Sequence, residues 1–275
     1  MRVRLRKTLF ILPNLFTLAS VLCGYYAILL CADAPTGDDY YRAALLILYA
    51  MFFDTIDGRV ARLTRTQSAI GVQLDSLADV ISFGVAPAVL VFRWSLQDLG
   101  TLGMLAGFAY VAAGAVRLAR FNVLATTRSG APKKPGKYIL GLPIPAAAGI
   151  LVSLVAADKF VSGPGLPGSP LIVLGVVIAL AFFMVSAIRF RSFKDIRLNT
   201  RTVLLIAIAI GSTAFIALRY QPSYALVCLL VSYIAIGVVE NLVSLLRSGH
   251  RPRDPATEEP PDKRDGERSE SKHTA

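Results

Sequence analysis

Histidine is nearly absent from this chain. Only two occur in 275 residues, His250 and His273, and both lie in a polar stretch near the C-terminal end. Chemistry that relies on imidazole has little to work with: paired H-x-K motifs are missing, and a hydrolytic zinc centre would lack its commonest ligand. The three cysteines, Cys23, Cys31 and Cys228, have no metal-type spacing and read as small residues in or beside apolar runs. Glycine-rich phosphate loops of the P-loop or dinucleotide-binding kind are also missing. Charge is sparse as well, at 17% of residues against 55% hydrophobic, and the mean hydropathy is +0.58. That balance is too apolar for an ordinary soluble domain.

What the chain has instead is a series of apolar runs long enough to cross a bilayer. They predict an all-α, polytopic membrane bundle of about eight helices, near 10–31, 42–62, 73–95, 100–121, 141–158, 169–188, 201–219 and 223–246. The run from Phe10 to Leu30 follows a basic Arg2–Lys7 segment as a signal peptide would. It is nevertheless long enough to span and lacks a cleavage site, so it is expected to be the first helix. The net charge of +11 is not spread as a nucleic-acid surface would spread it. Basic residues gather in alternate connections, at 2–7, 59–65, 128–137 and 189–201, while Asp33, Asp38, Asp39 and Asp98 occupy intervening ones. The positive-inside rule then places both termini and the basic loops in the cytoplasm. The loop 126–138 reads either as a lid over a headgroup or as an orientation signal. Residues 1–248 are expected to form the membrane domain, and 249–275 a disordered charged cytoplasmic tail.

Against this apolar background, four aspartates stand out. Asp54 and Asp57 are three apart, Asp75 and Asp79 four apart, so each pair shares a helix face. Small residues follow the same stripes, giving D-x2-D-G-x2-A-R-x8-G-x3-D-x3-D over residues 54–79. A carboxylate at bilayer depth costs about 2.5–3.5 kcal/mol on insertion scales, and four converging like charges repel unless cations or protons intervene. Hard divalent ions with oxygen ligands are the natural compensation, and Mg²⁺ commonly works beside phosphates. The array therefore reads as a metal site for a phosphate-bearing substrate. Gly58 and Ala61 would let a ligand approach the backbone, and Arg62 at the cytoplasmic end could grip a diphosphate or snorkel to the interface.

With those residues in view, the chain resembles the CDP-alcohol phosphatidyltransferases, membrane enzymes that join CDP-diacylglycerol to a small alcohol and release CMP. The resemblance covers about residues 1–246. Flanking segments look like the serine-using branch: Leu12–Leu18, Leu74–Pro87, Arg117–Asn122, Gly141–Pro145, Met184–Ser186 and Ser192–Lys194. It implies that Asp54, Asp57, Asp75 and Asp79 bind two divalent cations, Mg²⁺ or Mn²⁺, with Asp79 also the general base. It implies further that Asn14, Thr17, Gly58, Ala61, Arg62, Ser68 and Gly71 border the CDP-alcohol. Ser82, Arg117, Arg120, Asn122 and Lys194 become candidates for holding L-serine. The expected partners are CDP-diacylglycerol, L-serine, membrane lipids and a second copy in a homodimer, with no nucleic acid. The expected place is the cell (inner) membrane, with the active site on the cytoplasmic side.

Two other readings remain open at this stage. The acceptor could be glycerol 3-phosphate, inositol phosphate or choline, although the Ser82-Phe83-Gly84 continuation after Asp79 looks like the serine branch. A cation transporter would also use intramembrane acids, but it gives no reason for Gly58, Ala61, Arg62 and Gly71 at fixed spacing.

Overall fold

Why the chain forms these helices is plainest at their ends. The computed structural model describes residues 2–64, 68–125, 138–159, 169–186 and 189–191. All of them belong to one compact unit, Met1–Asn241; a second unit, Leu242–Ala275, contains none of them. Helix α1 runs Arg2–Leu30 and α2 Gly37–Thr64. The start of α2 is set by a reciprocal cap: Thr36 donates to Asp39 Oδ2 from its N–H and hydroxyl at 3.0 and 2.7 Å, and Thr36 Oγ1 accepts the Asp39 N–H at 3.4 Å. Those hydrogen bonds hold the Asp39 carboxyl below the usual carboxylate range. Acids at the first turn of α2 and Arg62 in its last turn both complement the helix dipole.

Helix α3, Ala69–Asp79, begins at an N-cap, where Ser68 Oγ accepts the Gly71 N–H at 3.0 Å. It passes without a break through a π-helical turn, Val80–Val85, into α4, Ala86–Trp94. A short 3₁₀ turn, Leu96–Leu99, then leads to α5, Thr101–Ala125. At the same end of the bundle Arg93 caps the finish of α1. Its Nε and Nη2 donate to the carbonyls of Cys31 and Ala32 at 2.9 and 3.0 Å, which would otherwise be orphaned at a helix C-terminus.

The later elements are α6, Ile144–Asp158, and α7, Pro170–Val185. Before α6 the chain turns at Gly141, whose φ is +75° and where a Cβ would fall 2.3 Å from the Met184 carbonyl oxygen. Only glycine fits there. The next residue, Leu142, donates its N–H to the Phe183 carbonyl at 3.0 Å, so the segments around Gly141 and Met184 meet. This contact explains why α6 starts at Ile144 rather than 141. A two-stranded antiparallel ladder joins β1, Tyr138–Leu140, to β2, Arg189–Arg191, in the register Tyr138↔Arg191. The ladder is the one departure from helix among the regular elements described.

The first six expected helices are present, with α1, α2 and α3 starting earlier than expected. Those at 201–219 and 223–246 lie outside the described residues, as do Lys194, most of the 126–138 loop and the tail. Three spans, Pro13–Leu30, Ile70–Trp94 and Thr101–Val123, are long and apolar enough to cross a membrane. In the protein's interior Ile47, Phe83, Leu90, Tyr110, Ile144, Leu151 and Met184 are fully buried, whereas Leu22, Phe52, Phe108 and Leu171 are exposed on the outside of the bundle, where lipid would cover them. Helix α1 lies along α2 and also touches α3 and the π turn, while α5 packs on α7 and the π turn. The α1–α2–α3 contact is what assembles the site.

Candidate active site

The two aspartate pairs come from different helices and converge. Asp54 and Asp57 stand one turn apart near the C-terminal end of α2, and Asp75 on the facing side of α3. One carboxylate oxygen from each of Asp54, Asp57 and Asp75 lies within 4.8 Å of the others. Asp79, one turn beyond Asp75, lies outside that trio. Its side chain hydrogen-bonds to Asp54, and the Arg117 guanidinium of α5 faces it. Asp57 and Arg117 are buried to 4% and 8% exposure.

This donor set fits a hard divalent cation. It consists of carboxylate oxygens alone, and like charges at such range need a cation or proton between them. Beside the trio, Asp79 Oδ1 is buried and accepts no hydrogen bond. A buried acceptor left in that state carries its full desolvation cost, about 1–3 kcal/mol or more for a charged group. A ligand arriving at the cluster would remove that cost.

Beside the trio opens a cavity of about 170 Å³, formed where α1, the end of α2 and the start of α3 meet. Asp57 and Asp75 form one wall of it. Asn14, Thr17, Gly58, Ala61, Arg62, Ser68 and Gly71 all line it, with Pro13 and Val72 completing the surface. Residues up to 62 positions apart in sequence, Pro13 and Asp75, are thus gathered around one opening by helix packing. The glycines and Ala61 keep its walls low, and exposed Arg62 supplies positive charge at its rim.

Some of these side chains have local partners that the sequence alone did not reveal. Thr17 Oγ1 donates to Asp57 Oδ2 at 2.7 Å, so it orients a carboxylate of the trio as well as lining the cavity. Groups that aim metal ligands typically matter about 10–100-fold in affinity. Thr17→Val should accordingly weaken Mn²⁺ binding by roughly that factor while Thr17→Ser retains it, measured by calorimetric titration of purified protein. Ser68, as the cap of α3, holds the helix start that carries Asp75.

The residues expected to hold serine divide sharply. Arg117 reaches the aspartates. Asn122 instead donates from Nδ2 to Ser76 Oγ at 2.9 Å, tying α5 to α3, and Arg120 is exposed. Ser82 is fully buried and bonds to Ser20 of α1.

Acids gathered beside a small-walled cavity suit a phosphate-bearing ligand held through cations, and comparison with known proteins gives the class. The chain belongs to the CDP-alcohol phosphatidyltransferase family, whose model matches residues 10–185. Among its relatives is the CDP-diacylglycerol--serine O-phosphatidyltransferase of Helicobacter pylori (strain J99), 35% identical over 234 residues, covering 84% of this chain and 91% of that protein. An enzyme of the same name from Bacillus subtilis is 33% identical over 183 residues, 66% of this chain and 91% of that protein. The archaetidylserine synthase of Methanothermobacter thermautotrophicus is 36% identical over 181 residues, 65% and 69% of the two chains.

Proposed function

We propose that this protein transfers the phosphatidyl group of CDP-diacylglycerol to L-serine, giving phosphatidylserine and CMP. The observation that carries the reading is the convergence of Asp54, Asp57 and Asp75 on a cavity edged by Gly58, Ala61, Arg62 and Gly71. The names of the relatives favour serine as acceptor.

In this reading the four aspartates hold two divalent cations, Mg²⁺ or Mn²⁺. Such ions, when bound, offset the diphosphate charge and stabilise the departing phosphate. The cavity takes the nucleotide end of the lipid, with Asn14, Thr17 and Ser68 as polar contacts and Arg62 on the diphosphate. The serine hydroxyl attacks the phosphorus that carries the diacylglycerol. A bond forms from serine oxygen to that phosphorus, the bond from it to the bridging oxygen breaks, and CMP leaves with the bridging oxygen. Asp79 accepts the hydroxyl proton as the new bond forms, its unpartnered Oδ1 being the available acceptor. Arg117, facing Asp79, holds the serine carboxylate or the lipid phosphate. In this reading the displacement is direct, with no covalent phosphatidyl-enzyme.

The wider arrangement belongs to the same proposal. Residues 1–248 form the membrane domain with eight spans, both termini and the site on the cytoplasmic side of the inner membrane. Residues 249–275 form a tail, and the protein works as a homodimer. The test offers purified protein CDP-diacylglycerol with L-serine, glycerol 3-phosphate, inositol phosphate or choline in parallel. CMP release is expected with serine and little with the others. Preference for glycerol 3-phosphate would overturn the acceptor while leaving the family and the aspartates in place.

A further inference from the structure

Proline sits where the third span cannot use it. Pro87 has no backbone N–H, so the Phe83 carbonyl, four residues earlier, loses the donor an α-helix would supply. The chain widens at this point: Val80–Val85 is π-helical, and the Ala86 N–H donates to the Ile81 carbonyl across five residues instead of four. The Phe83 carbonyl is satisfied from another helix altogether. It accepts the phenolic O–H of Tyr110 on α5 at 3.0 Å. Tyr110 is wholly buried, with 0% exposure, so losing this bond would strand a polar group on either side of it.

The opposite side of the π turn is held by α1. Ser82 Oγ donates to the Ser20 carbonyl at 3.0 Å, and Ser20 Oγ lies 3.3 Å from it. Gly24 lies so close that a Cβ there would stand 2.8 Å from Ser82 Cα. The turn is thus clamped between two neighbouring helices.

Asp79 is the residue immediately before this turn, and Asp75 precedes it by one α-helical turn. A π turn holds one residue more than an α turn. Rewinding it as α would rotate the aspartates against the buried face of α4 by about one residue's step, ~100° at 3.6 residues per turn. We propose that Tyr110 is a positioning residue: by capping the carbonyl that Pro87 orphans, it holds the π turn and fixes the rotation at which Asp75 and Asp79 meet Asp54 and Asp57. This inference rests on the reading of those aspartates as metal and base groups. It assigns a task in the reaction to a buried phenol that does not line the cavity.

The test uses the full chain in detergent, with Mn²⁺ titrated calorimetrically alongside thermal midpoint, kcat and KM. Tyr110→Phe keeps the ring and removes only the hydroxyl. Mn²⁺ affinity should fall about tenfold, in the range seen for groups that orient metal ligands, and kcat should drop while KM for CDP-diacylglycerol stays within about twofold. The double variant Pro87→Ala with Tyr110→Phe separates position from stability. Residue 87 then regains an N–H for the Phe83 carbonyl, so the thermal midpoint should recover. Mn²⁺ affinity and kcat should stay low, because the segment has rewound. Wild-type affinity and kcat in Tyr110→Phe would overturn the inference, as would their return together with the thermal midpoint in the double variant. If the wild type binds Mn²⁺, Tyr110→Phe weakens that binding and neither releases CMP, the proposed reaction fails and the positioning role stands.

Discussion

Excess chelator should abolish CMP release completely, and Mg²⁺ or Mn²⁺ should restore it. The expectation follows from charge and placement. Asp54, Asp57 and Asp75 bring carboxylate oxygens within 4.8 Å of one another, and the diphosphate of the substrate would add more negative charge at the same place. Without cations, substrate binding would be opposed by the very groups that define the site. Metal clamps of this kind contribute several kcal/mol of charge stabilisation, and each ~1.4 kcal/mol is tenfold in rate. Asp75→Asn preserves shape but removes one charged ligand. It should therefore weaken Mn²⁺ binding and cut turnover together, with excess Mn²⁺ recovering part of the rate. Full activity in the presence of EDTA would rule out the metal-dependent mechanism.

The sequence made the helices and the acid array legible for a simple reason: both are local patterns. Apolar runs of spanning length identify helices one at a time, and aspartates at three- and four-residue spacing share a face whatever surrounds them. The starts of α2 and α3 were less visible, since hydropathy is a windowed average. Asp38 and Asp39 lowered it at one start, and Asp75 and Asp79 at the other. The caps at Thr36 and Ser68 mark both starts, and they depend on single polar side chains that such averaging erases.

What remained hidden depends on contacts between distant segments. Ser82 follows the acid array directly, and its 0% exposure and its bond to Ser20 tie it to the α1 interface as well. Thr17 gains its role toward Asp57 from a residue 40 positions away. The π turn is half legible, because Pro87 announces that the Phe83 carbonyl will lack a donor. The partner, Tyr110, lies in another helix at no periodic spacing. The two-stranded ladder likewise joins segments about 50 residues apart, each only three residues long. Gly141 and Met184 stood in separate motifs, and only packing reveals that the glycine is required by the other segment's carbonyl.

Asp79→Asn should be the most damaging single change that leaves substrate binding intact. Asp79 differs from the other three acids in ways the structure makes specific. It lies outside the close trio, it bonds to Asp54 on one side, and Arg117 faces it. Its Oδ1 is buried without a hydrogen-bond partner. An oxygen in that state is suited to receive a proton from a hydroxyl brought against it, and a serine hydroxyl is a weak nucleophile until its proton has somewhere to go. Asparagine keeps the shape and can still bond to Asp54, so the helix register and the cavity should survive. It cannot accept the proton. Positioned general bases are worth about 10²–10⁴-fold, and the loss should appear in kcat, with affinity for CDP-diacylglycerol retained. Direct binding of the lipid to the variant, measured beside single-turnover CMP release, separates the two. Near-normal single-turnover rates would show that another group takes the proton, whereas loss of lipid binding would show that Asp79 serves as a ligand-site residue first.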